Sequence, residues 1–227
     1  RVDRIANYLV HELKLEPGNR VLLRGGNSIG MALSWLAVVK AGLIAVATMP
    51  LLRATELSKV IDKAQPVAAI CDARLLQELE QAQQAFPALQ HVLRFNSPDD
   101  PSDLGQLVAH QAATFTACPT STDDIALLAF TSGTTGAPKA VVHTHRDVLA
   151  ACEAWPRHVL RPVPDDIVTG SPPLAFTFGL GGLLLFPMWA GASIYYPDAN
   201  YNPETMVRQM SEQGVTTCYT SPTFYRQ

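Results

Sequence analysis

The sequence predicts an α/β fold built from mostly parallel sheets. Short apolar runs, each of a length typical of a buried strand, alternate with longer segments whose apolar residues recur at the helical period. Turn and cap residues separate the two kinds of segment. Because strands that alternate with helices form βαβ units, parallel sheets covered by helices are expected.

The first half of the chain contains the clearest helices. An apolar stripe at helical spacing opens the sequence and comprises Val2, Ile5, Ala6, Leu9, Val10 and Leu13. Ser28 is expected to cap a second helix that runs to residue 41, with Gly42 just past its end. Thr55 and Asp72 are expected to cap the next two helices.

Strands and later helices follow the same alternation. The predicted strands are residues 21–23, 43–48, 67–71, 91–95, 125–130, 140–144, 167–169, 193–196 and 215–220. Helices are expected over residues 146–160, where Pro156 must interrupt or kink the helix, and over 203–213. The uncharged segment 168–196 is long enough to span a bilayer, but its glycines and prolines favour strand, Gly-rich loop, buried helix and strand. No membrane span is therefore expected.

Composition limits the function classes. The chain has 17 Lys+Arg against 20 Asp+Glu, which argues against a nucleic-acid-binding surface. Hydrophobic residues make up 48% and charged residues 16%, which excludes disorder and indicates apolar surface that meets further protein. The four cysteines form no CxxC pair, which favours a reducing, cytoplasmic compartment. We expect a fragment that lacks both ends of a longer protein.

The most informative segment is the loop TSGTTGAPK at residues 131–139. Its glycines let backbone N–H groups turn toward an anion, its hydroxyls add donors, and its lysine supplies positive charge. It is not a Walker A loop, because the glycines are three apart and a proline precedes the lysine. An ordinary hairpin turn is the alternative, but this loop is longer than most hairpin connections. The pattern favours a loop that closes over a triphosphate.

This loop resembles the phosphate-binding loop of the adenylate-forming superfamily, which includes acyl- and aryl-CoA ligases, luciferases and peptide-synthetase adenylation domains. Four further segments resemble that family in the same order along the chain, namely residues 35–42, 50–57, 171–179 and 220–223. The sequence departs from the family at Ala140, where the family usually has glycine.

The resemblance implies part of the large N-terminal domain of such enzymes, made of flavodoxin-like βα subdomains. Residues 1–160 are expected to form the first subdomain and residues 165–227 to begin the second, on which the opening helix is a candidate to pack. The C-terminal domain and the key catalytic residues are expected beyond Gln227. Residues 1–227 alone are therefore expected to be inactive.

The resemblance also implies a two-step reaction that uses ATP, Mg²⁺ and coenzyme A. A carboxylate attacks the α-phosphate of ATP to form an acyl-adenylate, and the CoA thiol then displaces AMP. The residues implied to hold the β- and γ-phosphates are Thr131, Ser132, Gly133, Thr134, Thr135, Gly136 and Lys139. No residue is assigned as a metal ligand.

An aromatic carboxylate is the favoured substrate. The family's substrate pocket is implied to include Phe176, Thr177, Phe178, Gly179, Ser221 and Pro222. Two aromatic residues beside glycines suit a flat slot for an aryl ring, as in benzoate- and 2-aminobenzoate–CoA ligases. Three alternatives stay open: core phenylalanines with glycines that pack a helix, a ligase for a fatty or hydroxycinnamic acid, and an inert fragment that only binds nucleotide weakly.

Other enzyme classes fit less well. The segment 25–30 lies between a strand and a helix, but Asn27 occupies a position where a dinucleotide-binding loop needs glycine, and no acidic residue ends the next strand. Residues 191–195 fail the serine-hydrolase pattern at their last position. His143 and His145 have no third ligand nearby, so they are interpreted as ordinary histidines.

Overall fold

A computed structural model of the chain describes residues 1–131, 138–197 and 202–226. In these ranges the chain forms nine strands: β1 Arg20–Arg24, β2 Ile44–Thr48, β3 Ala68–Asp72, β4 His91–Phe95, β5 Ile125–Thr131, β6 Lys139–Thr144, β7 Ile167–Gly170, β8 Ser193–Ile194 and β9 Thr217–Tyr219. Each predicted strand is present, with ends that shift by a few residues.

The strands form two sheets. The larger has the order β4-β3-β1-β2-β5-β6, and the smaller has the order β8-β7-β9. Every pair is parallel except β5 and β6, which form an antiparallel hairpin with Thr131 opposite Lys139. The expected α/β fold with mostly parallel sheets is confirmed. These two strands are antiparallel because the segment between them, residues 132–138, has too few residues for the crossover connection that a parallel pair needs.

The α-helices of the described residues are α1 Val2–Asn7, α2 Ile29–Lys40, α3 Ala54–Ala64, α4 Leu76–Gln83, α5 Leu104–Leu107, α6 His145–Trp155, α7 Thr177–Leu180, α8 Phe186–Ala190, α9 Pro203–Glu212 and α10 Pro222–Tyr225. A π-helical turn, Tyr8–Glu12, extends the first helix. Pro156 interrupts the sixth as expected, because the regular helix ends at Trp155 and a π-helical turn follows.

Most predicted helix ends are confirmed. Ser28 Oγ accepts a hydrogen bond from the Met31 N–H at 3.3 Å, and Asp72 Oδ1 accepts one from the Arg74 N–H at 3.0 Å. Gly42 follows α2 with a φ of +75°, a conformation that favours glycine.

The prediction that Thr55 caps the third helix is wrong, because α3 already begins at Ala54. Acidic side chains satisfy its first N–H groups instead. Glu56 Oε2 accepts from the Arg53 N–H at 2.9 Å, and Glu78 Oε2 accepts from the Ala54 N–H at 2.8 Å. A carboxylate of the neighbouring helix α4 thus helps to cap this helix end, a role that the sequence predicts for the hydroxyl of Thr55.

The Gly-rich loop predicted after β7 is also wrong in part, since most of its glycines lie in a helical run. This run comprises α7, the π-helical turn Gly181–Leu185 and α8. A Cβ on Gly179 would stand 2.1 Å from the Pro173 carbonyl oxygen, and a Cβ on Gly182 would stand 2.9 Å from the Tyr219 ring. Close packing therefore requires glycine here and outweighs its low helix propensity.

One apolar core joins the two sheets. Strands β2 and β3 are buried along their whole length. The main core cluster contains Leu9 of the opening helical segment, Val38 of α2 and Leu183 next to the second sheet. In addition, Asn7 Nδ2 donates to the carbonyls of Ala112 and Thr114 at 2.9 Å. Among the described residues, no helix has the length and apolar character needed to cross a membrane.

Candidate functional site

The carboxyl ends of β1, β2 and β5 lie at one edge of the larger sheet, because these three strands are parallel neighbours. They end at Arg24, Thr48 and Thr131. In open α/β sheets this edge is where ligands bind. The fold therefore places Thr131, the first residue of the predicted phosphate-binding loop, at an edge of the sheet suited to a ligand.

Two ends of the predicted phosphate loop are described. Thr131 and Lys139 face each other across the open end of the β5–β6 hairpin, and both are exposed. Lys63 Nζ donates to the Pro138 carbonyl at 3.1 Å, which ties α3 to the end of the loop. The other predicted phosphate-binding residues, Ser132, Gly133, Thr134, Thr135 and Gly136, lie outside the described residues.

A cavity of about 290 Å³ opens beside this hairpin. It is lined by Ala47, Thr48, Met49, Leu52, Glu56, Lys59, Val60, Phe130, Thr131, Pro138, Ala175 and Phe176. Its wall thus combines the base of the predicted phosphate loop with one aromatic residue predicted for the substrate pocket.

Sequence reasoning assigned no site role to Glu56 or Lys59, yet both line the cavity. They are three positions apart on α3, so helical geometry places them on one face. That spacing could have shown that the two side chains lie on the same face of the helix. It could not show that their face turns toward the sheet edge where β2 and β5 end.

The residues predicted for the aromatic pocket divide into two groups. Phe176 immediately precedes α7, is 40% exposed and lines the cavity. Phe178 is 55% exposed, and its ring meets the Tyr219 ring edge to face at a centroid distance of 6.1 Å. Thr177 is exposed at the first position of α7, whereas Gly179 is buried. The phenylalanines are therefore not core residues, whereas the glycine packs the helix.

Ser221 and Pro222 lie at the end of the smaller sheet. Ser221 precedes α10, and its Oγ accepts from the Phe224 N–H at 3.3 Å. Both residues are exposed. Just before them, Thr220 Oγ1 lies 2.5 Å from Ser171 Oγ, which joins the segments that follow β9 and β7. Ser221 and Pro222 follow Tyr219 closely in the chain, and neither lines the cavity.

Arg24 holds the backbone of two residues that line the cavity, Met49 and Leu52. Its side chain is only 1% exposed and donates to the carbonyls of Met49, Pro50, Leu52 and Leu75 at 2.8–3.3 Å. Burial lowers the pKa of Arg24 below its usual value, while Cys71 and Glu78 oppose that change. Arginine remains charged in proteins. Four carbonyl dipoles therefore stabilise this cation, and in return it fixes the connection between β2 and α3.

Burial makes the thiols of Cys71, Cys152 and Cys218 poor nucleophiles. Burial raises the pKa of Cys71 to about 12, and burial also raises the pKa of Cys152 and Cys218. Within residues 1–131, 138–197 and 202–226, no three His, Cys, Asp or Glu side chains come close enough together to hold a metal ion.

Comparison with known proteins identifies the family. A family model described as "AMP-binding enzyme" matches residues 1–227. Over 225 residues the chain is 28% identical to a benzoate–CoA ligase of Thauera aromatica, an alignment that covers 99% of the chain and 42% of that ligase. Over 209 residues it is 30% identical to an anthranilate–CoA ligase of Pseudomonas aeruginosa, covering 86% of the chain and 38% of that ligase.

Solved structures give the same result. The chain resembles the crystal structure of the anthranilate CoA ligase AuaEII in complex with anthranoyl-AMP, with a TM-score of 0.90 and 29% identity, over 99% of this chain and 44% of that one. The chain spans about two fifths of the length of these relatives. The resemblance noted in the sequence is thereby confirmed, and the chain belongs to the family of AMP-binding enzymes.

Proposed function

We propose that this chain forms the phosphate-binding and carboxylate-binding part of an ATP-dependent ligase that joins an aromatic acid to coenzyme A. The observation that supports this most is the shared cavity of Thr131 and Phe176. One residue ends the strand that leads into a loop rich in hydroxyls and glycines, and the other is an exposed aromatic ring. Reaction between a triphosphate and an aryl carboxylate needs these two kinds of surface side by side.

In this proposal the loop binds the β- and γ-phosphates of ATP. Hydroxyls and backbone N–H groups of Thr131, Ser132, Gly133, Thr134, Thr135 and Gly136 act as donors. Lys139 adds a positive charge at the end of the loop. Phosphoryl chemistry depends on such positioning and charge stabilisation more than on covalent help from the protein.

The proposed reaction has two balanced steps. A carboxylate oxygen of the acid forms a bond to the α-phosphorus of ATP, the bond from that phosphorus to the bridging oxygen breaks, and pyrophosphate leaves. The sulfur of coenzyme A then bonds to the acyl carbon of the mixed anhydride, AMP leaves, and the thiol proton is released. Mg²⁺, when bound, neutralises phosphate charge.

Aromatic acids are the proposed substrate class. Phe176 and Phe178 present exposed rings next to the cavity and to Tyr219, and aromatic surfaces favour stacked or edge-to-face contact with an aryl ring. Thr177, Gly179, Ser221 and Pro222 complete the proposed pocket. Benzoate and 2-aminobenzoate are the favoured acids, since the relatives include ligases for benzoate and for anthranilate, which is 2-aminobenzoate.

Two further proposals concern organisation and location. The larger sheet with its helices up to residue 160 is proposed as one subdomain, and the smaller sheet from residue 165 as the start of another. All four cysteines are free thiols, which suits the reducing cytoplasm.

Carboxylate-dependent exchange of labelled pyrophosphate into ATP tests the function. The full-length protein is assayed with benzoate, 2-aminobenzoate, octanoate and 4-hydroxycinnamate, followed by thioester formation with coenzyme A. Exchange that is fastest with the two benzoates, and thioester formation from them, is expected. A strong preference for octanoate would overturn the aromatic pocket, and a strong preference for 4-hydroxycinnamate would overturn benzoate and 2-aminobenzoate as the favoured acids. Exchange with none of the acids would overturn the proposed ligase activity.

A further inference from the structure

The side chain of Asn27 joins the loop after β1 to the segment that carries Phe176. Its Nδ2 donates to the Pro172 carbonyl at 2.8 Å, and its Oδ1 accepts from the Leu174 N–H at 2.8 Å. Both ends of one amide group are therefore used, and both bonds reach a single stretch of backbone far away in the sequence. Bond lengths in this range are typical of well-formed hydrogen bonds.

This pairing defines the path of the backbone more strictly than a single hydrogen bond could. The two bonds leave one planar group in fixed directions, so they set both the position and the orientation of residues 172–174. Pro172 and Pro173 have no N–H, and Leu174 therefore supplies the first backbone donor after Ser171. The Ser171 N–H is already used, since it donates to the Tyr219 carbonyl at 2.9 Å.

Phe176 follows this held segment by two residues. Leu174 and Ala175 are buried, whereas Phe176 is exposed and lines the cavity. The Phe176 N–H donates to the Pro173 carbonyl at 3.0 Å, and α7 then begins. A shift of residues 172–174 would consequently move the Phe176 ring relative to Thr131, because only Ala175 lies between that segment and Phe176.

Gly25 and Ser28 of the loop after β1, and Gly30 in the first turn of α2, have local structural roles. A Cβ on Gly25 would stand 2.7 Å from the Phe95 ring, and a Cβ on Gly30 would stand 2.5 Å from it, so these glycines make room for that ring. Ser28 caps α2. Asn27 differs, because its side-chain bonds reach across to the residues that follow β7.

We infer that Asn27 is a positioning residue for the carboxylate site: by holding Pro172 and Leu174 it sets the place of Phe176 in the cavity. This inference rests on the proposed function. Asn27 acts through the backbone of residues 172–174 and does not itself line the cavity. It should therefore govern how well the acid is held, while the binding of ATP phosphates at the β5–β6 hairpin is left largely intact.

Steady-state pyrophosphate exchange by the full-length protein tests this role. Asn27→Ala removes both bonds, and we expect it to raise the KM for benzoate about tenfold, with the KM for ATP changed by less than about twofold. The preference for benzoate over octanoate should fall as well. Asn27→Asp keeps an acceptor for the Leu174 N–H but loses the donor to Pro172, and it should also raise the KM for benzoate. It replaces the alanine variant if that variant does not fold.

Ser28→Ala is the matched control. It removes a helix cap from the neighbouring residue and should lower the melting temperature, yet both KM values should stay close to those of the wild type. If Asn27→Ala raises both KM values equally, or changes neither, the inference is overturned while exchange by the wild-type protein still supports the proposed function. If the wild-type protein shows no exchange with any acid, both are overturned.

Discussion

Thr131 and Phe176 line the same cavity, although one ends β5 of the larger sheet and the other follows β7 of the smaller sheet. Neither strand could build this wall alone. The cavity exists because β5 is hydrogen-bonded beside β2, and because the segment after β7 is held against the loop that follows β1.

Replacing Lys139 should weaken adenylation. Lys139→Ala removes a cation from the end of the phosphate loop, and a hydrogen bond to a charged group contributes about 1.5–3 kcal/mol, so kcat/KM for ATP should fall roughly tenfold to a hundredfold. Thr135→Ala removes one proposed donor and should cost about fivefold. Pyrophosphate exchange measures both effects.

Arg146→Ala provides the control for loss of positive charge. Arg146 pairs with Asp123 at 2.8 Å on the exposed surface, where an ion pair contributes little. Its kcat/KM for ATP should match that of the wild type. Unchanged exchange in both Lys139→Ala and Thr135→Ala would discredit the assignment of the loop.

Replacing Phe176 should change the choice of acid. Phe176→Ala removes an aromatic wall, so kcat/KM for benzoate should fall by about tenfold or more while the KM for ATP changes little. Trp189→Ala is the control, since Trp189 is also an exposed aromatic residue but does not line the cavity. Equal losses in the two variants, measured by exchange with benzoate, would count against a ring-binding role.

Loss of Arg24 should destabilise the site and its surroundings. Arg24→Met removes the guanidinium that donates to four carbonyl groups, and this loss should lower the free energy of unfolding by roughly 3 kcal/mol or more. For a domain of this size the melting temperature should then fall by about 6–12 °C. Arg20→Met on the same strand loses a single hydrogen bond, to the Gln65 carbonyl at 3.2 Å, and its melting temperature should fall far less. Comparable melting temperatures for the two variants would contradict this account.

The contribution of Asp72 to stability should depend on pH. Burial by itself raises the pKa of Asp72, but hydrogen bonds from Arg74 and Asn96 outweigh that effect, so the pKa lies below the ordinary value of 3.8. The folded state therefore keeps this carboxylate charged at a lower pH than the unfolded chain does. Its stabilising contribution is present above about pH 4 and is lost as the pH falls through the folded-state pKa.

Melting temperatures of the wild type and of Asp72→Asn measured from about pH 7 down to pH 3 test this prediction. The difference between the two proteins should be largest near neutral pH and should shrink toward acid pH. A difference that stays constant over the whole range would rule out ionisation of Asp72 as the cause.

Much of the fold could be predicted because its signals are local. Helical apolar spacing, short buried runs and cap residues such as Ser28 and Asp72 depend on neighbours within a few positions. The prediction for the Gly-rich segment after β7 is wrong in part because Gly182 packs against the Tyr219 ring, which lies far from it in the sequence. The predicted start of α3 is wrong for a similar reason, since Glu78 of another helix accepts the hydrogen bond from the Ala54 N–H.

By itself the sequence determined the α/β class, the phosphate-loop pattern at residues 131–139 and the resemblance to AMP-binding enzymes. Each of these depends only on residue type and spacing along the chain. Only the tertiary structure decided that Thr131 and Phe176 share a cavity with Glu56 and Lys59, and that Asn27 holds the segment before Phe176. Those facts depend on which strands pair and which loops meet. Such long-range contacts depend on the packing of the whole core, so no local sequence pattern predicts them.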